Sequence, residues 1–334
     1  MTARLSVAIL ARLARCFPGT TARALKLAGR TTRRETRYLR TIALREQSRR
    51  LAQVMADLGF RQNVLVDADG EVHVESHGIL LNVKGTNRYF KGLGESGNEG
   101  HKLGEFLESH GIRTGTMLDI GANFGEIALY FARRYPDARI VAVEPAPENL
   151  AILKGNLGRQ YFDTGHVQLV PEAVSARRGH VTITQGLGSE NSIVSNRDNT
   201  PLTSATDGVE VPCTTLAEIV ERCGLAEIDF IKIDIEGAEP LLSESLVKLA
   251  GCVRSLYIEF SSKNSEESYL ELLRALMDAG YRAFVMENPD EDLSFARARD
   301  LYLAERRDHG GGVNFWFLGT MQQQAVRSGD LQDR

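Results

Sequence analysis

From Met117 onward one pattern keeps returning: a short apolar run, a turn, then a stretch with helical spacing. The runs Met117-Leu-Asp-Ile120, Arg139 to Glu144, Val167 to Val174, Asp229 to Ile235 and Ser255 to Phe260 read as strands. Arg282 to Met286 and Val313 to Leu318 read as the last two, and His180 to Thr184 as a hairpin-like piece. Between them the spacing predicts helices over Glu126–Tyr135, stopped by Pro136, and over Pro147–Leu157, with proline in the first turn. Thr215-Leu-Ala-Glu218 has the form of a capping box and opens a helix that ends at Gly224. Gly237 is expected to open another helix, and Ser268 to Gly280 reads as a further one. Strands alternating with helices require an α/β fold: a mostly parallel sheet with helices on both faces.

The rest of the chain differs. The first 50 of 334 residues carry thirteen Lys or Arg against Glu35 and Glu46, although the net charge of the whole is −4. Leu5, Ile9, Leu13 and Phe17 recur every fourth residue, Pro18-Gly19 ends that helix, and a second helical stretch runs from about Thr32 to Leu58. Residues 1–60 are therefore a basic helical extension, either packed on the body or resting on an anionic membrane surface. Only Phe17 and Tyr38 fall among these arginines, too few for the aromatic interleaving that would support nucleic-acid binding. Residues 61–98 hold a β-hairpin around Asp69-Gly70 and a Gly-rich loop, 99–320 the alternating domain, and 321–334 a polar tail. No apolar run reaches the ~20 residues of a membrane span, and no secretory signal is visible. Cys16, Cys213, Cys223 and Cys252 lack C-x-x-C spacing, and the seven histidines lack ligand spacing. This suits a reducing, cytoplasmic setting and argues against a structural zinc site or a disulfide framework.

In open α/β sheets ligands bind beyond the carboxyl ends of the strands. The first strand runs into Asp119-Ile-Gly-Ala-Asn-Phe-Gly125, where Gly121 and Gly125 permit a sharp turn and close backbone approach. The spacing is G-x-x-x-G, not the G-x-G-x-x-G that cradles a dinucleotide pyrophosphate. An acid before the loop suits a ligand bearing an ammonium and a sulfonium. The second strand ends on Glu144, placed to accept hydrogen bonds from ribose hydroxyls.

Ile231-Lys-Ile-Asp-Ile-Glu-Gly-Ala-Glu239 faces that loop from a later strand. Alternation sets Lys232, Asp234 and Glu236 on one side and isoleucines on the other. Charges there are costly unless they pair or act. If the ligand is a sulfonium methyl donor, Asp234 is the candidate base or orienting group for an acceptor hydroxyl, with Glu236 as its support. Alternatively, Lys232 simply pairs with a carboxylate. Glu259 lies near the end of the next strand beside the same cleft, and with Asp234 and Glu236 it offers oxygen ligands to a cation such as Mg²⁺.

Asp119 to Gly125, Val143-Glu-Pro145, Asn149 to Asn156, Ala173-Val-Ser175 and Lys232 to Glu239 together resemble the FkbM family of methyltransferases, in order and spacing, over about Glu99 to Glu259. The resemblance implies a class I, Rossmann-like methyltransferase fold with a seven-stranded sheet whose last strand, here Val313 to Leu318, is antiparallel. It implies S-adenosylmethionine as methyl donor. Asp119, Gly121, Asn123 and Gly125 would cradle its methionine part and Glu144 its ribose. Glu99 stands where the family often has an acid before the first strand, and Asn191-Ser192 resembles a polar pair near the cofactor. The expected reaction is O-methylation of a hydroxyl or carboxyl group on a small molecule or saccharide. The competing readings are a nicotinamide-dependent oxidoreductase and a non-enzymatic scaffold on a membrane surface.

Overall fold

A computed structural model describes residues 46, 48–50, 53, 63–66, 72–82, 99–112, 115–184, 193–195 and 208–319. The Asp-Gly turn, the Gly-rich loop, Asn191-Ser192, the polar tail and nearly all of the basic extension lie outside the described residues. In that extension Arg49 and Arg50 pair with Glu46 on a helical stretch. No helix among the described residues is long and apolar enough to cross a membrane.

The chain divides into two compact units, Met1–Asn98 and Glu99–Arg334. The first contains three antiparallel strands in the order β1 (Asn63–Val66), β2 (Val72–Ser76) and β3 (Ile79–Asn82). The sequence reading stops at two strands. The third follows from His77-Gly78, both left-handed at φ 48° and 72°, the pairing that a two-residue hairpin turn demands.

The second unit is built on a sheet of eight described strands. In chain order these are β4 (Thr116–Ile120), β5 (Arg139–Val143), β6 (Val167–Val170), β11 (Phe230–Ile233), β12 (Ser255–Phe260), β13 (Tyr281–Val285), β14 (Asn288–Leu293) and β15 (Val313–Gly319). Their spatial order is β14-β13-β15-β12-β11-β4-β5-β6. From β6 through β12 neighbours are parallel, and β15 lies antiparallel between β12 and β13. Counted along the chain without β14, the order from β6 is 3-2-1-4-5-7-6, the class I methyltransferase arrangement. The eighth strand, β14, adds an antiparallel edge. Its sequence Asn-Pro-Asp-Glu-Asp-Leu is charged and carries a proline, which only an edge accommodates.

Seven described helices accompany the sheet: α1 (Glu99–Ser109), α2 (Glu126–Arg134), α3 (Pro147–Leu157), α4 (Leu216–Arg222), α5 (Ser243–Leu249), α6 (Glu266–Asp278) and α7 (Phe295–His309). The capping box forms: Glu218 N–H donates to Thr215 Oγ1 at 3.1 Å and Thr215 N–H to Glu218 Oε2 at 3.2 Å. Gly237 does not open an α-helix. It sits at φ 105° in a turn, and the segment Glu239–Leu242 is a single 3₁₀ turn before α5.

The expected third strand divides in two. Val167–Val170 stays in the main sheet, whereas β7 (Ala173–Val174) joins a separate sheet with β8 (Gly179–Thr184), β9 (Ile193–Ser195) and β10 (Gly208–Thr214), ordered β7-β10-β8-β9. Pro171 between the two pieces interrupts the ladder.

Each face of the main sheet has its own core. Isoleucines and leucines of β4, β11 and β12 meet Leu216 and Ile219 of α4, Leu272, Leu273 and Leu276 of α6 and Tyr302 of α7. On the opposite face the contacts are aromatic. Phe106 of α1 stacks on Trp316 at 3.9 Å, Phe131 of α2 on Phe230 at 5.5 Å, and Phe230 on Trp316 at 5.4 Å. Burying each such ring contributes roughly 1.5–3 kcal/mol, enough to anchor both helices on this face of the sheet.

Candidate functional site

The strand order reverses between β4 and β11, and in open α/β sheets such a reversal forms the ligand crevice, beyond the carboxyl ends of the two strands. Both acidic motifs emerge there. In register, Asp119 of β4 lies opposite Lys232 of β11, which lies opposite Tyr257 of β12. One cross-strand row therefore carries Asp119, Lys232 and Tyr257 on the same face.

Asp119 is fully buried. Its Oδ2 accepts the N–H of Ala128 at 3.1 Å, one of the first-turn donors of α2 that have no partner within the helix. Its Oδ1 is buried without a hydrogen-bond partner, and the Lys232 ammonium stands 3.9 Å away. Burial pushes the Asp119 pKa up to about 6, against the pull of Lys232. The loop that follows turns back sharply: Gly121 has φ 82°, Asn123 φ 53° and Gly125 φ 93°. A Cβ on Gly121 would fall 1.9 Å from the Asp234 carbonyl oxygen, and one on Gly125 2.3 Å from Leu153 Cδ1. Both glycines are thus required by the protein's own packing as well as by the turn. Asn123 Oδ1 is a second buried oxygen without a hydrogen-bond partner.

Glu144 follows β5 and is also buried. Its Oε2 accepts the Asn123 N–H at 2.8 Å, and its Oε1 accepts Ala146 N–H at 2.9 Å and Asn149 Nδ2 at 3.4 Å. Burial raises its pKa to about 7, and these donors only partly oppose the rise. The carboxylate thereby locks the glycine loop to the tip of the second strand.

Lys232 occupies the centre. Its ammonium donates to the Gly121 carbonyl at 3.1 Å and pairs with Asp234 at 3.1 Å. Burial alone would lower its pKa, but Asp234, Asp119 and Glu99 together hold it raised, so it stays charged. The expected pairing of Lys232 with a carboxylate is present. Glu99, the first residue of α1, joins the same cluster: the Tyr257 hydroxyl donates to its carboxylate, and burial raises its pKa.

Strand β11 ends at Ile233; Asp234 follows it directly, its N–H still donating to the Ile120 carbonyl, whereas Glu236 lies beyond the alternation. It reaches the site from the following turn, at φ 58°. Carboxylate oxygens of Asp234, Glu236 and Glu259 lie within 4.8 Å of one another, an arrangement that a hard cation can use. The cluster's charges are nevertheless answered from within the chain. Lys232 pairs with Asp234 and Lys263 with Glu236. Burial together with Asp234 pushes Glu259 up to about 10, so that it keeps its proton and shares it with Asp234. Asp234 is held ionised, because Lys232 and the Glu259 hydrogen bond outweigh its burial.

The structure thus gathers Glu99, Asp119, Gly121, Asn123, Gly125, Glu144, Lys232, Asp234, Glu236 and Glu259 around one crevice. Glu172, at the end of β6, is instead paired with Arg222. Two contributors escaped the sequence reading. Tyr257 could have been found from the parallel register that sets it beside Lys232. Lys263 lies in the loop after β12, where no pattern marks it.

Comparison with known proteins places this crevice in context. The model of the methyltransferase FkbM domain matches residues 119–283. A methyltransferase of Sordaria araneosa, sdnD, is 28% identical over 37% of the chain, and the match spans 57% of that relative. The 2-O-methyltransferase NoeI of Sinorhizobium fredii is 28% identical over 48% of the chain and 69% of its own length. Among solved structures, fibrillarin of Aeropyrum pernix in complex with S-adenosyl-L-methionine aligns over 76% of the chain and 93% of its own, at 15% identity and a TM-score of 0.36.

Proposed function

The chain belongs to the FkbM family of methyltransferases, and from that premise we propose that it moves the methyl group of S-adenosylmethionine to an oxygen of a small-molecule or saccharide acceptor. The observation that carries this reading is the Oδ1 of Asp119, buried without a hydrogen-bond partner at the point where strand order reverses. A buried carboxylate oxygen left in that state is costly and fits a ligand that brings an ammonium. Asn123 Oδ1 offers a second acceptor beside it. Glu144, at the next strand tip, has lone pairs left for ribose hydroxyls beyond the amides it already accepts. Glu99 adds a further acid at the edge of the same cluster.

The donor, when bound, supplies an electrophilic methyl on sulfur. The chain's own residues hold and orient the acceptor. Asp234, ionised beside Lys232, is the group to receive an acceptor proton, and Glu259, which keeps its own, steadies it by hydrogen bonding. Glu236, tied by Lys263, borders the acceptor side. Oxygen as the atom methylated is in keeping with the relative named a 2-O-methyltransferase. No observation of the site favours the nicotinamide or the scaffold reading. The basic first 50 residues are proposed to touch an anionic membrane surface from the cytoplasmic side.

An untargeted search for methylated products, in cells with and without the protein, tests the proposal. New methyl ethers or esters that vanish in an Asp234→Asn strain are expected; an unchanged methylated pool overturns it.

A further inference from the structure

Beyond the residues that face donor and acceptor, one buried acid has three donors aimed at it and no stated task. Glu239 is 0% exposed. Its Oε1 accepts the Ile235 N–H at 2.8 Å, its Oε2 accepts the Gly237 N–H at 3.0 Å, and the Tyr269 hydroxyl of α6 also donates to Oε2. Burial pushes its pKa up to about 7, while the hydroxyl and the amides pull it down. Between those two amides lies Glu236, in the left-handed region at φ 58°, followed by Gly237 at φ 105°. A non-glycine residue holds that conformation only where the surroundings impose it. On its other side the turn is fastened by Asn264 Nδ2, which donates to the Gly237 carbonyl at 2.8 Å. The backbone just before the turn presses on the cofactor loop, because the Asp234 carbonyl fills the space beside Gly121.

We propose that Glu239 is the positioning residue of the acceptor side: its carboxylate sets the Ile235–Gly237 turn, and through it the placement of the Asp234 and Glu236 carboxylates against the cofactor loop. This rests on the methyl-transfer reading for what those carboxylates do, but not for how they are held.

The test uses the full chain, methyl-labelled S-adenosylmethionine with a cell extract as acceptor source, and calorimetric titration with S-adenosylhomocysteine. Displacing a catalytic group by about 1 Å costs on the order of a hundredfold in rate. Glu239→Ala should lower label transfer by about that factor while S-adenosylhomocysteine affinity moves by no more than about threefold. Glu239→Gln, which keeps one acceptor oxygen, should recover part of the loss, and Tyr269→Phe, which spares both amides, should fall between the wild type and Glu239→Ala. Transfer unchanged in Glu239→Ala, or affinity falling as far as transfer, overturns the proposal. A wild type that neither binds S-adenosylhomocysteine nor transfers label sinks the methyl-transfer reading instead. Amide hydrogen exchange at Ile235 and Gly237 then still decides the role of Glu239: faster exchange in Glu239→Gln supports it, and unchanged exchange refutes it.

Discussion

The crevice has two walls lined with carboxylates, buried on one wall and part-exposed on the other, and the walls hold those carboxylates by different means. On the donor wall Asp119 and Glu144 are gripped by backbone N–H groups of Ala128, Asn123 and Ala146. On the acceptor wall Asp234 and Glu236 are gripped by the ammonium groups of Lys232 and Lys263. Amide dipoles fix geometry without cancelling charge, so burial still dominates and both donor-wall acids rise, to about 6 and about 7. Asp234 is held below its ordinary value despite its burial, because the Lys232 ammonium stands 3.1 Å from it, against 3.9 Å for Asp119, and Glu259 adds a hydrogen bond. On the proposed reading, one wall would gain a cation from its ligand, and the other would stay ionised with or without one.

The sharpest way to break this division is Asp234→Asn. Removing a base at the acceptor wall should lower turnover by about 10²–10⁴-fold, with S-adenosylhomocysteine affinity almost unmoved in calorimetry. Parallel losses in both would mean that the walls are one unit. Lys232→Met attacks the residue the two walls share. It leaves Asp119, Glu99 and Asp234 without their counter-ion, and removing one partner of a buried pair costs about 3–5 kcal/mol. Urea unfolding should show a loss of that size; a loss under about 1 kcal/mol would mean that Lys232 is not the central charge. Glu144→Gln acts on the donor wall alone. Hydrogen bonds to a charged group are worth about 1.5–3 kcal/mol, so S-adenosylhomocysteine should bind about ten to a hundred times more weakly, with turnover at saturating donor largely preserved.

The smallest effect is on pH. Asp119 and Glu144 have folded pKa values raised above the ordinary 3.8 and 4.5. Their contribution to folding is therefore fully present below those ordinary values and is lost as pH rises through 6 and 7. Ligand binding has the opposite sign, because an ammonium and ribose hydroxyls prefer the ionised carboxylates. S-adenosylhomocysteine affinity should weaken by up to about tenfold as pH falls from 7.5 to 6, with proton release on binding. Glu144→Gln should flatten the upper part of that profile, and an affinity independent of pH would contradict the assigned directions.

The parallel strands were readable because they are short apolar runs closed by a glycine, an acid or a proline, and Asp119, Glu144 and Asp234 were readable because they stand where those runs stop. The regions missed have no such signal. Helix α7, Phe-Ala-Arg-Ala-Arg-Asp-Leu-Tyr-Leu-Ala-Glu-Arg-Arg-Asp-His, buries only Ala298 and Tyr302, so it lacks an apolar stripe. Strand β10 carries Pro212, which marks a strand poorly; it is tolerated because pairing with β7 begins only at Cys213, so Pro212 faces β8 alone. At the site, the meaning of Glu99 and Tyr257 depends on which strand lies beside which. That order comes from topology, and local composition does not encode it. Glu236 was assigned to the right cluster for an incomplete reason: alternation stops at Ile233, and a left-handed turn completes the placement.

Calorimetric titration of the purified full chain with S-adenosylhomocysteine, run beside NAD under the same conditions, tests the central claim most directly. One saturable site for S-adenosylhomocysteine, weakened by Glu144→Gln and untouched by Asp234→Asn, with no heat from NAD, is the predicted result. Tight NAD binding without S-adenosylhomocysteine binding would contradict it.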